Sequence, residues 1–484
     1  MTYANLQCLG AREAAWAWRR GHHAASRASR PEGRRSSSRG GRAKEVGRGI
    51  TTRTRTGTGA LSSPWEQNEP GELSGLGKWY KRNVVGSLRF LPMIAIQLAF
   101  IPFLFSFVGI PLLESVGIRL PSMLALATKW VWSKVGLAWM SPDLGTAVKG
   151  SVTRVLELPV NSPNELVWKT ILGTVLPLMP VVYFFVVLPV IDFVIGREGN
   201  EQARASGPSG THHKEHRMVI WASGFIYMCL LPTACYAAAV LPLLSVLTIG
   251  VGFGLYGATM FAVSHELLHS PIKSDRVLSR CLLACVFYPH YEHSHKYIHH
   301  KLVGTPEDPS TARRGEHFYA FFVRSVVDNV KMLMRTEAAS MKLSWIARVA
   351  FIAGSLLIAF GPRGLAVYLI QAFISILSLE LVNYIEHYGL KRKRLANGKY
   401  EQVSRSHSWN ADWFATNCHI VNLQLHSDHH LNSMKPYQNL KNFKDGPQLP
   451  GPYSVMMLLS LCPPLFFRVM DPRLDEVEAS TKEG

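Results

Sequence analysis

Charged residues are scarce in this chain: only 18% of its 484 residues are Asp, Glu, Lys or Arg, against about a quarter in soluble domains. The deficit falls in long apolar runs, and 48% of the residues are hydrophobic. An ordinary soluble domain is excluded and an all-α polytopic membrane protein is expected. Acids are scarcer than bases, with 33 Asp and Glu against 52 Lys and Arg and a formal charge of +19. Residues 1–60 supply +10 of that charge from thirteen Arg or Lys and three Glu. They are rich in Arg, Ser, Gly and Thr and have no apolar run of secretory length. Residues 1–77 therefore read as a basic N-terminal segment, either an organellar transit sequence or a disordered tail. The aromatic platforms and fold motifs that accompany nucleic-acid binding are missing, so no nucleic-acid partner is expected. Cysteine supplies no disulfide framework. The seven (Cys8, Cys229, Cys235, Cys281, Cys285, Cys418, Cys462) lie mostly in apolar stretches, where free Cys acts as a small hydrophobe. Cys281 and Cys285 have a spacing compatible with metal binding, though more usual in plain packing.

What is present begins with spans. A membrane-crossing helix needs about 20 mostly apolar residues. Residues 85–113 and 166–195 each form one such run, separated by a long connection whose segment 120–140 carries Lys129 and Lys134 and reads as interfacial. A polar loop follows over 196–217. Residues 219–264 and 345–386 each read as a hairpin of two spans, the second turning at Gly361-Pro362-Arg363-Gly364. Residues 454–470, short and interrupted by Pro463-Pro464, read as a membrane-surface segment. The total is about six transmembrane helices in a domain covering 78–484. The loops that follow the hairpins carry Lys273, Arg276, Arg280, Lys296, Lys301, Arg313 and Arg314, with Lys391–Arg394 further on. The positive-inside rule places that side in the cytosol or its organellar equivalent.

On that same side lie nine histidines. They are His265 and His269 in His-Glu-Leu-Leu-His, His295, His299 and His300 in His-Lys-Tyr-Ile-His-His, His387 in Asn-Tyr-Ile-Glu-His-Tyr-Gly, and His426, His429 and His430 in His-Ser-Asp-His-His. Residues four apart share a helix face, so His265 and His269 can approach one ion. His295 and His299 are expected to repeat that geometry, with His300 turned to an adjacent face. Neutral imidazole ligates iron, zinc and copper, and nine are too many for one ion. Structural zinc commonly recruits Cys, and no Cys partner set exists here. Glu266, Glu386 and Asp428 stand beside the clusters and are expected to orient the ligands or bridge the metals.

Together these strings resemble the membrane alkane monooxygenase family, di-iron relatives of the membrane fatty-acid desaturases. The likeness covers about residues 185–440 and is most specific in Asn383-Tyr384-Ile385-Glu386-His387-Tyr388-Gly389-Leu390. The string Leu423–His430 matches the family's last cluster, except that Leu425 stands where Arg is usual. Thr305-Pro306-Glu307-Asp308-Pro309 and His407-Ser408-Trp409-Asn410 look like family neighbours of the site. The second cluster departs: Ser294 and Ile298 replace the usual Glu and Gly, while the histidine spacing is kept. The resemblance implies that the nine histidines hold two iron ions. It also implies O2-dependent hydroxylation at the end of an alkyl chain taken from the membrane lipid. Electrons would come from a rubredoxin-like or ferredoxin-like iron–sulfur protein, which the basic Lys391–Arg394 group could attract.

Three other readings stay open. A fatty-acid desaturase, or a hydroxylase of another lipid, shares the paired clusters. His265-Glu-Leu-Leu-His269 also fits the zinc-protease pattern, but leaves seven histidines without a role. Intramembrane ionisable residues also suit a metal transporter, although these histidines gather at helix ends and not along a pore.

Overall fold

The computed structural model describes residues 89–90, 174–198 and 214–483. The basic N-terminal segment, the 120–140 segment and nearly all of the expected first span lie outside these residues. Among the described residues the regular elements are helices, with three isolated bridges as the strand-like pairings.

Four helices are long and apolar enough to cross a membrane: α1 (Leu176–Ile195), α2 (Lys214–Val240), α3 (Leu244–His269) and α7 (Ala339–His387). Between α3 and α7 lie α4 (Lys273–Cys285), a short helical run at 291–302 (α5) and α6 (Phe318–Thr336). After α7 come α8 (Phe414–His419), α9 (His426–Leu431), α10 (Tyr453–Ser460) and α11 (Pro463–Glu483). The outward faces are apolar: Phe351 is 76% and Ile358 89% exposed on α7, which suits lipid and not water.

The two expected hairpins are present. Residues 241–243 turn α2 into α3 with Pro242 at the turn. In α7 the turn is at Gly361, whose φ of 68° is unfavourable for a residue with a Cβ, and Pro362 follows without an N–H to continue the ladder. The arms on either side are each about 30–40 Å long at about 1.5 Å per residue, enough to cross a bilayer core. Both turns sit at one end, because Arg363 donates to the Leu241 carbonyl at 3.3 Å. Both ends of α7 return to α5: the Trp345 ring packs on His293 and His387 on His299.

Close approach and a few buried polar links hold the hairpins together, as expected where lipid removes the hydrophobic drive between helices. A Cβ built on Gly254 of α3 would meet Cβ of Ile374 at 2.5 Å and the Gln371 carbonyl at 2.9 Å. Ser375 Oγ donates to the Gly254 carbonyl at 2.9 Å. Tyr227 of α2 donates to Gln371 Oε1, and Gln371 Nε2 donates to the Cys285 carbonyl, each at 2.8 Å.

The 454–470 region packs one face on the protein and leaves Leu458, Leu461 and Leu465 exposed on the other. Tyr453, Met456 and Met457 of α10 and Phe466 and Met470 of α11 are buried. Pro463 and Pro464 begin a new helix, where the missing N–H costs nothing. The four-residue apolar spacing of Phe466, Met470 and Leu474 faces Tyr384, Tyr388 and Gly389.

Gly254→Val tests the close contact of α3 with α7. Overpacking of this kind costs about 1–3 kcal/mol, so the variant should unfold at lower temperature in detergent. An unchanged melting temperature would contradict the contact.

Candidate metal centre

The ends of four elements bring the nine histidines together. His265 and His269 close α3, His387 closes α7, α5 carries His295, His299 and His300, and α9 carries His426, His429 and His430. Their ligand nitrogens form two groups, each within 4.8 Å: His265, His269, His295, His300 and His429, and His299, His387, His426 and His430. The groups adjoin, with the His300 and His430 rings 4.5 Å apart. Eight of the nine are buried and His300 is half-buried.

The α3 pair shares one group, as its spacing predicts. The second cluster does not follow its expected pairing. Ser294–His299 is a π-helix, in which residues five apart align in place of residues four apart. His295 therefore meets His300, Nε2 to Nε2 at 3.0 Å, while His299 turns to the other group and meets His430 at 3.2 Å. In α9 the four-step pair His426 and His430 stays together at 2.9 Å, and His429 crosses to His300 at 3.0 Å.

These contacts fit metal ligation. Nitrogens held about 2.1 Å from one ion at right angles stand about 3.0 Å apart. Nε2 of His265, His269 and His387 is buried with no hydrogen-bond partner, a costly state unless a cation takes the lone pair. Burial, followed by the neighbouring imidazoles, pushes His295, His300, His426, His429 and His430 well below the ordinary histidine range. They are therefore neutral, the form that ligates.

Outer partners fix two of the rings. His299 Nδ1 donates to Asp308 Oδ2 at 2.8 Å and His387 Nδ1 to the His407 carbonyl at 3.2 Å, leaving each Nε2 free for a metal. Burial works to raise the Asp308 carboxyl, but His299 and the Thr311 hydroxyl hold it below the usual carboxylate range. Asn410 Oδ1 accepts from Ser427 N in the first turn of α9 at 2.9 Å.

Of the three expected carboxylates, one reaches the histidines. Glu386 Oε2 lies 3.2 Å from His426 Nε2, and Tyr453 donates to its Oε1 at 2.8 Å. Glu266 instead accepts from the Tyr437 backbone N–H at 3.3 Å. Asp428 binds Lys435 and the Lys441 backbone N–H, bracing the loop after α9. Glu292, the acid nearest in sequence to the altered second cluster, pairs with Arg280 at 2.7 Å. Asp308 and His407 lay in motif neighbours whose contacts spacing could not supply, and Tyr453 lay just before the segment read as surface. His419 is buried outside both groups, 3.2 Å from Thr259 Oγ1, with burial lowering it to about 4.

A mostly apolar cleft ends on both groups. Phe184, Phe261, Ala262, Leu379, Val382 and Met457 wall it, and His265, His295, His426, Glu386 and Tyr453 close its polar end. Phe184 lies in a π-turn of α1, Tyr183–Val187, and its ring packs against His419.

Residues 238–458 match the family profile of fatty acid desaturases. The alkane 1-monooxygenase of Acinetobacter baylyi is 34% identical over 317 residues, covering 60% of this chain and 75% of that protein. Alkane 1-monooxygenase 2 of Pseudomonas aeruginosa is 33% identical, covering 62% and 84%. The corresponding enzyme of Alcanivorax borkumensis is 31% identical, covering 60% and 81%. The chain belongs to the alkane 1-monooxygenase family. It is an integral membrane oxidoreductase, and its two buried histidine groups could each hold a metal ion.

Asp308→Ala tests the outer hydrogen bond. Loss of such a partner typically costs about 10–100-fold in metal affinity, so ferrous iron titrated into the purified variant should bind that much more weakly. Unchanged affinity would remove Asp308 from the centre.

Proposed function

We propose that this protein hydroxylates alkanes at the terminal carbon, consuming O2, two electrons and two protons per 1-alkanol and water formed. The observation that carries the reading is an apolar cleft whose polar end is made by histidines of both groups. An alkane offers no polar handle, so its position must come from walls that limit depth and orientation. The nine histidines would hold two iron ions, five imidazoles on one and four on the other. Iron supplies the O2 chemistry when bound, while the protein aims the substrate and excludes water.

The remaining roles belong to this chain's own residues. Glu386, fixed by Tyr453, places a carboxylate at the cleft beside the four-histidine group. Glu266 and Asp428 shape the loops around the ligands. Residues 78–484 form the membrane domain with six spans and its histidine side toward the cytosol or organellar equivalent, and residues 1–77 are a basic N-terminal segment, either a transit sequence or a tail without an address. Lys391, Lys393 and Arg394 are exposed, and suit an acidic rubredoxin-like or ferredoxin-like electron donor. Arg392 anchors that segment to the site, because its Nη1 donates to the Lys301 carbonyl at 2.9 Å, one residue after His300.

A desaturase is the second reading, favoured by the matched profile. Iron-loaded protein with a reductase and iron–sulfur donor, given n-alkanes and free fatty acids under 18O2, separates the two. Labelled 1-alkanols are expected; alkenoyl products alone would favour the desaturase. The ligand partition has its own check. His300→Ala and His299→Ala should each lose iron from a different group, giving distinct residual iron spectra, whereas identical spectra would contradict it. Reversing Lys391 and Lys393 to Glu should raise the KM for an acidic donor and flatten its salt dependence, with kcat kept.

A further inference from the structure

A line of oxidisable rings runs from the histidines to the surface. Tyr291 stacks on His295 with centroids 5.0 Å apart, and Tyr288 follows at 6.2 Å. His290 lies 4.3 Å beyond Tyr288, and Trp345 a further 6.2 Å away. His293 then links Trp345 to Tyr297, at 5.3 and 5.4 Å. Tyr291, Tyr288, His293 and Trp345 are buried and His290 is half-buried, but Tyr297 is 50% exposed.

Tyr288 also faces a carboxylate. Its hydroxyl donates to Glu380 Oε1 in a long hydrogen bond of 3.4 Å. The other oxygen of Glu380 accepts from Ser325 Oγ at 2.7 Å and Asn383 Nδ2 at 3.3 Å. Glu380 is 1% exposed within α7, and none of these donors is a cation. An ionisable group kept in a spanning helix is expensive and marks a function, yet hydroxylation as described above gives Glu380 no task. Burial, then the Glu380 charge, holds Tyr288 as the neutral phenol, well above its ordinary range.

We propose that Tyr291, Tyr288 and Trp345 form a hole-transfer chain that drains oxidising equivalents from the metal centre when no C–H bond fills the cleft, with Glu380 as the proton acceptor of Tyr288. This rests on the oxygenase reading. Electron tunnelling falls steeply with distance, so closely spaced oxidisable rings outcompete any longer jump. Tyr288 gives one electron, by way of Tyr291, to the O2-derived oxidant; its O–H bond breaks, the proton passes to Glu380, and a neutral tyrosyl radical remains. An electron from Trp345 then restores the phenol, which recovers its proton from Glu380. The oxidised Trp345 is reduced through Tyr297 by a one-electron reductant in solution, such as a thiol. His290 and His293 fill the gaps between rings and are not themselves oxidised.

The test is freeze-quenched EPR on iron-loaded, reduced protein mixed with O2 without alkane. A tyrosyl signal that narrows with ring-deuterated tyrosine is expected in the native chain, lost in Tyr288→Phe and weakened in Glu380→Gln. Trp345→Phe blocks the outward step and should prolong the signal. Peptide mass mapping after substrate-free cycling should show more oxidised cleft residues in Tyr288→Phe and Trp345→Phe, while both variants retain iron and their hydroxylation rate with alkane present. An equal signal in Tyr288→Phe, or 1-alkanol formed by native protein with no radical, would sink the chain alone. A Tyr288 radical without 1-alkanol would sink the substrate reading and leave the chain standing.

Discussion

Imidazole nitrogens that face one another in a dry site cannot all satisfy each other with protons. A neutral ring has one N–H. His300 Nε2 meets both His295 and His429, and His430 Nε2 meets both His299 and His426. A single proton cannot serve two such contacts, and burial opposes adding more. Two of the rings are held from behind, His299 by Asp308 and His387 by the His407 carbonyl, and the helix ends carry the others to the same place. Those restraints keep the lone pairs converging, and a convergent set of lone pairs is what a divalent cation requires.

The hairpins exist in service of that convergence. The α2–α3 and α7 turns share one end, so the returning arms deliver His265, His269 and His387 together at the other. The same arms wall the cleft with Phe261, Ala262, Leu379 and Val382. The elements that place the ligands therefore also set where an apolar chain can stop. Buried polar links such as Tyr227–Gln371–Cys285 fix the relative depth of the helices, which a purely apolar contact would leave free to slide.

The sequence made much of this legible, and its gaps have physical causes. The nine histidines and the Gly361-Pro362 turn stand out because their chemistry is local: a ligand type at helical spacing, and a φ suited to glycine. The pairing of His295 with His300 was not legible. Nothing in Ser-His-Lys-Tyr-Ile-His-His distinguishes an α-turn from a π-turn, and the contacts the turn makes, such as Lys296 Nζ on the Leu268 carbonyl, are with residues far away in the chain. Proximity in the chain misled for the acids as well. Glu266 adjoins His265 yet binds the loop at Tyr437, whereas Asp308, beyond the Gly304 turn, reaches back to His299. The packing of α10 on Glu386 and of α11 on Tyr384 and Tyr388 was hidden because these partners lie far away in sequence.

The π-turn at Ser294–His299 makes one peptide segment the common property of both metal positions. A single residue removed there would restore the α-helical register. Each residue is turned by about 100° in an α-helix, so His300 would swing away from its present group. One ion would lose a ligand while the other gained a competitor. Motion in this segment likewise reaches both positions at once, so the two sites are mechanically a single part.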